Sequence, residues 1–352
     1  MKRLFHHPLF WPIVALIVLV ALNTASRPTF LSITVNHGAL YGSIIDILRN
    51  SSQLMLVAIG MMLVIATRGI DLSVGALLAV SGAVALTIIS DSPSPDSVGT
   101  VTVAIVAGLA VTLVLGIWNG FLVSVVGIQP IIATLVLMLA GRGIAMLITK
   151  GQITTINSAP YKHIAGGYIF GLPVAFYVSV AVIIIVGLVV RRTALGMLIE
   201  SVGINPEASR LAGVRSRGIL WGVYAVSGLL AGGAGIIYSS NIMAADANNA
   251  GLNIELDAIL AVVIGGTSLA GGKFTLAGTV VGVLVLQTLT STITFLGIPP
   301  AVTPVFKAVV VILVCLVQSR RVREWLFIRR KRNMMPDAGA STDASPELAV
   351  TR

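Results

Sequence analysis

Charge is what this 352-residue sequence has least of: 10% of its residues are Asp, Glu, Lys or Arg and 56% are hydrophobic. Soluble domains carry about 25% charged residues, so a water-soluble globular protein is excluded and a polytopic membrane protein is left. The mean hydropathy of +0.99 agrees. A single cysteine, Cys315 in the last apolar run, excludes an internal disulfide and reads as a small core residue. His6, His7, His37 and His163 all fall outside the apolar runs. There is no His-Glu-x-x-His, paired-cysteine or nucleophile-elbow pattern, so no metal site or enzymatic chemistry is expected of this chain. The net charge of +10 raises the question of nucleic acid. Its cations cluster at the ends of apolar runs, where the membrane orientation rule puts them, which argues against that partner.

What is abundant is apolar sequence. A membrane-crossing helix needs roughly 20 apolar residues, and ten candidate runs occur, at 9–25, 53–67, 72–90, 101–126, 130–149, 174–190, 219–238, 256–271, 274–296 and 305–318. The fold expected is therefore an all-α polytopic membrane protein of about ten transmembrane helices. Residues 1–332 read as one transmembrane domain and 333–352 as a disordered tail. Residues 26–50 are mixed and amphipathic, suiting an external segment at the interface. The regions 53–90 and 256–296 have room for broken helices.

The charges orient this scheme. One side receives Lys2, Arg3, Arg68, Arg191, Arg192, Arg210, Arg215, Arg217, Lys273, the seven cations from Arg320 to Arg332, and Arg352, which is seventeen. The other receives only Arg27, Arg49, Lys150 and Lys162. That bias puts both termini in the cytoplasm.

The longest polar interval, 191–217, then lies in the cytoplasm between the sixth and seventh runs. It contains a punctuated short helix. Asn205 is a good N-cap, Pro206 is pre-set for the first helical position, Glu207 places negative charge at the positive helix end, and Gly213 can close the far end. A helix of about two turns is not stable alone in water. It is expected to be held by neighbouring spans and pressed against a partner.

Inside the apolar runs, Arg142 must face protein or water, since a charge at the bilayer centre costs roughly 2.5–3.5 kcal/mol on insertion scales. Asp71 and Asp257 are its candidate partners, in a pair that either locks helices together or gates a path. Asn119, Gln287 and Ser291 are further polar groups in the spans. Residues 287, 290, 291 and 294 share one helical face, suiting either a wet translocation path or interhelical bonding. Gly116/Gly120, Gly228/Gly232 and Gly278/Gly282 have the spacing of close helix contacts. Residues 265–274 superficially suggest a phosphate loop, but the glycine spacing is wrong, no Ser or Thr follows Lys273, and no soluble strand precedes them.

Several stretches together resemble one family. Gly69-Ile70-Asp71-Leu72-Ser73-Val74-Gly75 resembles the signature of the membrane subunits of bacterial ATP-binding-cassette sugar importers, the ribose-type permeases. Arg142-Gly143, Thr193-Ala194-Leu195-Gly196, Gly203-Ile204-Asn205 through Gly213, and Glu255-Leu256-Asp257 through Gly272 follow in the same order. The resemblance covers roughly residues 40–320. Within it, residues 42–48, 151–153 and 245–251 resemble a galactofuranose importer permease. Arg68 stands where many members have glycine.

The resemblance implies a permease of the bacterial inner membrane, paired with a second copy or a sister permease around a central path. It implies two cytoplasmic ATPase subunits that use ATP and magnesium, a periplasmic sugar-binding protein, and a monosaccharide substrate, galactofuranose or a ribose-like sugar. No cofactor would be bound by this chain. Gly203, Asn205, Pro206, Glu207, Ala208, Arg210, Leu211 and Gly213 would then form the coupling helix that docks on the ATPase. Asp71, Asn119, Gln287 and Ser291 are path candidates, and Asp246, Asn248 and Asn249 are candidates for docking the binding protein. The competing class is a secondary transporter driven by an ion gradient. It would need embedded carboxylates, and only Asp71 and Asp257 qualify, both near span ends.

Overall fold

The computed structural model describes residues 9–36, 38–299 and 302–318. The tail at 333–352 with Arg352, the seven cations from Arg320 to Arg332, and Lys2 and Arg3 lie outside the described residues. Thirteen α-helices are described. They are α1 (Phe10–Ser26), α2 (Ser43–Ala66), α3 (Val74–Ser90), α4 (Val98–Phe121), α5 (Pro130–Ile148), α6 (Ala159–Gly166) and α7 (Val174–Arg192), followed by α8 (Leu195–Ile204), α9 (Pro206–Leu211), α10 (Ser216–Ile242), α11 (Ile254–Ile264), α12 (Leu276–Phe295) and α13 (Thr303–Gln318). Among the described residues, six are long and apolar enough to cross a membrane: α2, α4 with its continuation to Val126, α5, α7, α10 and α12.

Most helix bounds fall within a few residues of the apolar runs, because the apolar run and the helix have the same cause. A backbone in hydrocarbon must bond to itself. Three segments differ. Residues 26–50, expected as an interfacial segment, form a 3-10 turn (Pro28–Leu31), an antiparallel hairpin of β1 (Thr34–Asn36) and β2 (Ala39–Tyr41), and the first turns of α2. Asp46 in the first turn of α2 favours that earlier start. The run at 256–271 becomes only the eleven residues of α11, about 16 Å of helix. It stops where Gly266, Gly271 and Gly272 take positive φ, and residues 265–275 lead irregularly into α12. Residues 195–204, read within a polar interval, form α8.

At the end of the bundle opposite α9, residues 150–173 and 243–253 close over the helices. There β3 (Thr154–Thr155) pairs antiparallel with β6 (Ala244–Ala245), and β4 (Tyr168–Ile169) with β5 (Leu172–Pro173).

The core sits where α10 packs against α2, α3 and α4. Backbones come close there because side chains are missing. Gly116 of α4 and Gly228 of α10 face each other, and a Cβ on Gly228 would lie 2.8 Å from the Gly116 Cα. Gly232 sits on Thr112 in the same seam, while Gly278 and Gly282 of α12 lie against the backbone of Gly265 and Ala261. Trp221 donates its indole N–H to the Ile117 carbonyl at 2.7 Å, closing one end of the α4–α10 seam. By contrast α7 buries only Ala175 and Ser179 fully and packs one half-buried side, through Val178, Val182, Ile183, Val186 and Val190, against the core.

Candidate functional site

The short helix forms as its residues require. The Asn205 side chain accepts from the backbone N–H of Glu207 at 3.1 Å and of Ala208 at 3.0 Å, satisfying two of the donors a helix start leaves free. Pro206 holds the first position, where its missing N–H costs nothing. Arg210 reaches back one turn to Glu207 at 3.0 Å, an exposed pair. Gly213 takes φ +85° just beyond the end, and Val214 N–H bonds back to the Ser209 carbonyl. Only Ser209 of α9 is buried. Leu211 is 84% exposed and Ile204, at the end of α8, is 57% exposed. Two apolar side chains held in the open beside a capped, barely supported helix are what a docking knob presents.

The α8–α9 corner rests on two other segments. Gly203 lies so close to the Ala66 carbonyl that no Cβ fits there. That same carbonyl, at the end of α2, accepts from Gly272 N–H at 2.9 Å. Arg68, at φ +65°, donates Nη2 to the Ile204 carbonyl at 2.6 Å and Nε to the Ala270 carbonyl at 2.9 Å. Three separated stretches of chain thus meet within one turn of α9.

The path candidates divide into two places. Asp71 and Asn119 come together in the core, with Asp71 1% exposed and Asn119 fully buried. Asp71 Oδ1 accepts from Ser73 N–H at 3.0 Å and Ser73 Oγ at 2.6 Å, while its Oδ2 accepts from Ser227 Oγ at 2.8 Å. Asn119 Nδ2 donates to Ser73 Oγ at 2.9 Å. The carboxyl therefore sits at the start of α3, on the positive helix end, and bridges α3 to α10. Gln287 and Ser291 are elsewhere, half-buried on α12. Near them, α11, α12 and α13 border a cavity of about 940 Å³ whose polar lining includes Asn253, Asp257, Thr290, Thr294 and Lys307.

The expected ion pairs of Arg142 do not form. Asp71 is committed to Ser73 and Ser227, and Asp257 pairs with Lys307 at 2.6 Å, linking α11 to α13. Arg142 Nη1 instead donates to the carbonyls of Ala247 at 3.0 Å and Ala250 at 2.5 Å. Backbone carbonyls can take up a guanidinium's donors without a carboxylate, and sequence pattern does not reveal them. Arg142 thereby braces the loop that holds all three docking candidates. Within that loop Asp246 accepts from Asn248 N–H (3.0 Å), Asn249 N–H (3.1 Å) and Asn249 Nδ2 (2.7 Å). The Asn249 side-chain amide, more than any other group, holds the Asp246 carboxyl below its ordinary range. Lys307 and the role of Arg68 escape sequence reading; the one signal for Arg68 was a cation where glycine is usual.

The chain matches the model of the family described as the branched-chain amino acid transport system/permease component over residues 43–315. It is 44% identical over 346 residues to the fructose import permease protein FruF of Bifidobacterium longum, covering 96% of each chain. It is 47% identical over 323 residues to the galactofuranose transporter permease protein YtfT of Escherichia coli, covering 91% of this chain and 92% of that one. The ribose import permease protein RbsC of Escherichia coli is 37% identical over 313 residues, 88% of this chain and 93% of the relative. No solved structure matches the chain.

Proposed function

The chain belongs to the branched-chain amino acid transport system/permease component family, and we propose that it is the membrane-spanning permease subunit of a bacterial ATP-binding-cassette importer for a monosaccharide. The observation that carries this reading is end-to-end similarity to permeases named for three sugars, fructose, galactofuranose and ribose. The cargo is a sugar of that class.

Ten crossings are proposed: the six long helices together with α1, α3, α11 and α13. The seventeen-to-four distribution of cations supports cytoplasmic termini and puts α9 in the cytoplasm. There α9 is the coupling helix, with Leu211 and Ile204 offered to a cleft on a separate ATPase subunit. Two such subunits, a second permease copy or sister permease, and a sugar-binding protein complete the importer. ATP and magnesium belong to the ATPase subunits; this chain lacks phosphate-loop chemistry in its Gly-rich segment, which serves as the link from α11 to α12. The loop carrying Asp246, Asn248 and Asn249 faces the binding protein. The path runs along the half-buried face of α12 that bears Gln287 and Ser291.

The mechanism is alternating access. ATP draws the ATPases together, α9 moves with them, and the bundle opens outward to take sugar from the binding protein. Hydrolysis resets it inward. The test is reconstitution of the chain with its ATPase and sugar-binding protein partners in sealed vesicles, offered radiolabelled fructose, ribose and galactofuranose in turn. Uptake of one of them with ATP enclosed on the ATPase side and no ion gradient is expected. Uptake driven by a proton or sodium gradient without ATP would overturn the reading.

A further inference from the structure

The geometry points to Arg68 as a positioning residue that ties the α8–α9 corner to the bundle, so that displacement of α9 is passed to α2 and to the segment entering α12. This rests on the reading of α9 as the ATPase contact. A helix that buries one residue, Ser209, has little packing of its own through which to push. Force applied to it must leave through the corner at Gly203–Asn205.

What holds that corner is mainly backbone, except for Arg68. Its two hydrogen bonds go to two different segments, Ile204 at the end of α8 and Ala270 in the link before α12. Ile204 directly precedes Asn205, the cap of α9, so the bond lies one peptide from the helix being pushed. Its carbonyl is one of those a helix end leaves unpaired, at the negative end of the dipole, where a cation is favoured. Among the described residues Arg68 makes no ion pair, so no carboxylate competes for its donors.

The backbone adds a second argument. At φ +65° Arg68 takes a conformation glycine adopts freely and other residues adopt at a cost. A side chain kept in such a place is anchored by its surroundings. Only a planar fork spans both carbonyls at once; a lysine ammonium is a point charge on a flexible stem. The adjoining contacts, Gly203 on the Ala66 carbonyl and Gly272 N–H to the same carbonyl, bring α2 into the same junction. Arg68 is itself two residues beyond Ala66. Movement of the corner is therefore delivered to α2, a core helix, instead of being absorbed in the connecting turn.

The test uses R68G, which suits the backbone, and R68K, which keeps the charge but loses the fork. On a Cys315→Ser background, spin labels at Ala212→Cys and Ser268→Cys report the distance across the junction in the full importer in nanodiscs. We expect a narrow distribution in the parent, a clearly broader one in R68G, and an intermediate one in R68K. With ATP and vanadate, the parent distribution shifts as one peak, while R68G loses the correlated shift. Sugar carried per ATP hydrolysed, measured with whichever of fructose, ribose and galactofuranose the parent transports, falls about fivefold in R68G. Basal ATPase activity of the complex changes little. An R68G distribution as narrow as the parent's, with unchanged sugar per ATP, overturns the inference. If the parent shows no ATP-driven uptake, the functional reading fails instead, and the distance measurement still decides whether Arg68 ties the junction.

Discussion

Two polar sites in this molecule are built in opposite ways. Around Asp71 every polar group lies in the core, and α3, α4 and α10 converge on it. Around Asn205 the hydrogen bonds are local, the helix is six residues long, and its apolar side chains stand in the open. The first site gains its stability from tertiary packing, where an unpaired buried group is costly. The second has only its cap and the junction beneath it. A folded bundle does not need α9 to be where it is, since α9 buries only Ser209. On the proposed reading, the contrast separates residues that hold the permease together from residues through which it would be driven.

The largest effect is expected in the core. G228L places a side chain against the backbone of Gly116 and Thr112, where overpacking costs about 1–3 kcal/mol and more when, as here, the facing backbone leaves no room. Size-exclusion chromatography in mild detergent should show the monodisperse peak lost; a normal peak would mean that α4 and α10 are not in close contact. Next, D71A leaves the hydroxyls of Ser73 and Ser227 without their acceptor, a loss of about 1–3 kcal/mol. Its thermal unfolding midpoint should fall whether or not the ATPase is present. At the other site, N205A removes a cap worth about 1 kcal/mol to α9. The isolated permease should unfold at an unchanged temperature while ATP-driven uptake drops, and N205D should restore it. Equal loss of stability in N205A and D71A would erase the distinction between the two sites.

The smallest effect belongs to the loop braced by Arg142. Asp246 has its carboxyl held low, so the order it lends is complete at neutral pH and is lost only as pH falls through and below the usual carboxylate range. D246N should leave transport near parental at pH 7 and remove the acid sensitivity of binding-protein affinity, measured by titration between pH 3 and 7.

The helices were largely legible because apolar runs, punctuating glycines and the Asn205-Pro206-Glu207 cap each act over a few neighbouring residues. The seam glycines also stood out, since small residues at helical spacing have one common use in bundles. What stayed hidden depends on contacts between distant segments. Sequence pattern offers Arg142 only carboxylates, yet its acceptors are the backbone carbonyls of Ala247 and Ala250, a group that every residue possesses. Asp257 found Lys307 on α13, fifty positions away. Residues 195–204 hid as a helix within a polar interval because Arg191 and Arg192 sit just before them and Asn205 just after. Asp71 and Asn119, singled out together with Gln287 and Ser291, belong to a sealed core network, whereas the other two lie half-buried on α12.

The proposed placement of α9 against a cytoplasmic ATPase is best tested by its exposed leucine, Leu211. With Cys315→Ser as parent, Leu211→Cys is treated with a membrane-impermeant maleimide in right-side-out and inside-out vesicles, and with a short bifunctional cross-linker in the assembled importer. We expect labelling only in inside-out vesicles and a cross-link to the ATPase subunit that changes yield when ATP is added. Labelling from the outer face, or no cross-link in an importer that still transports, would contradict the account.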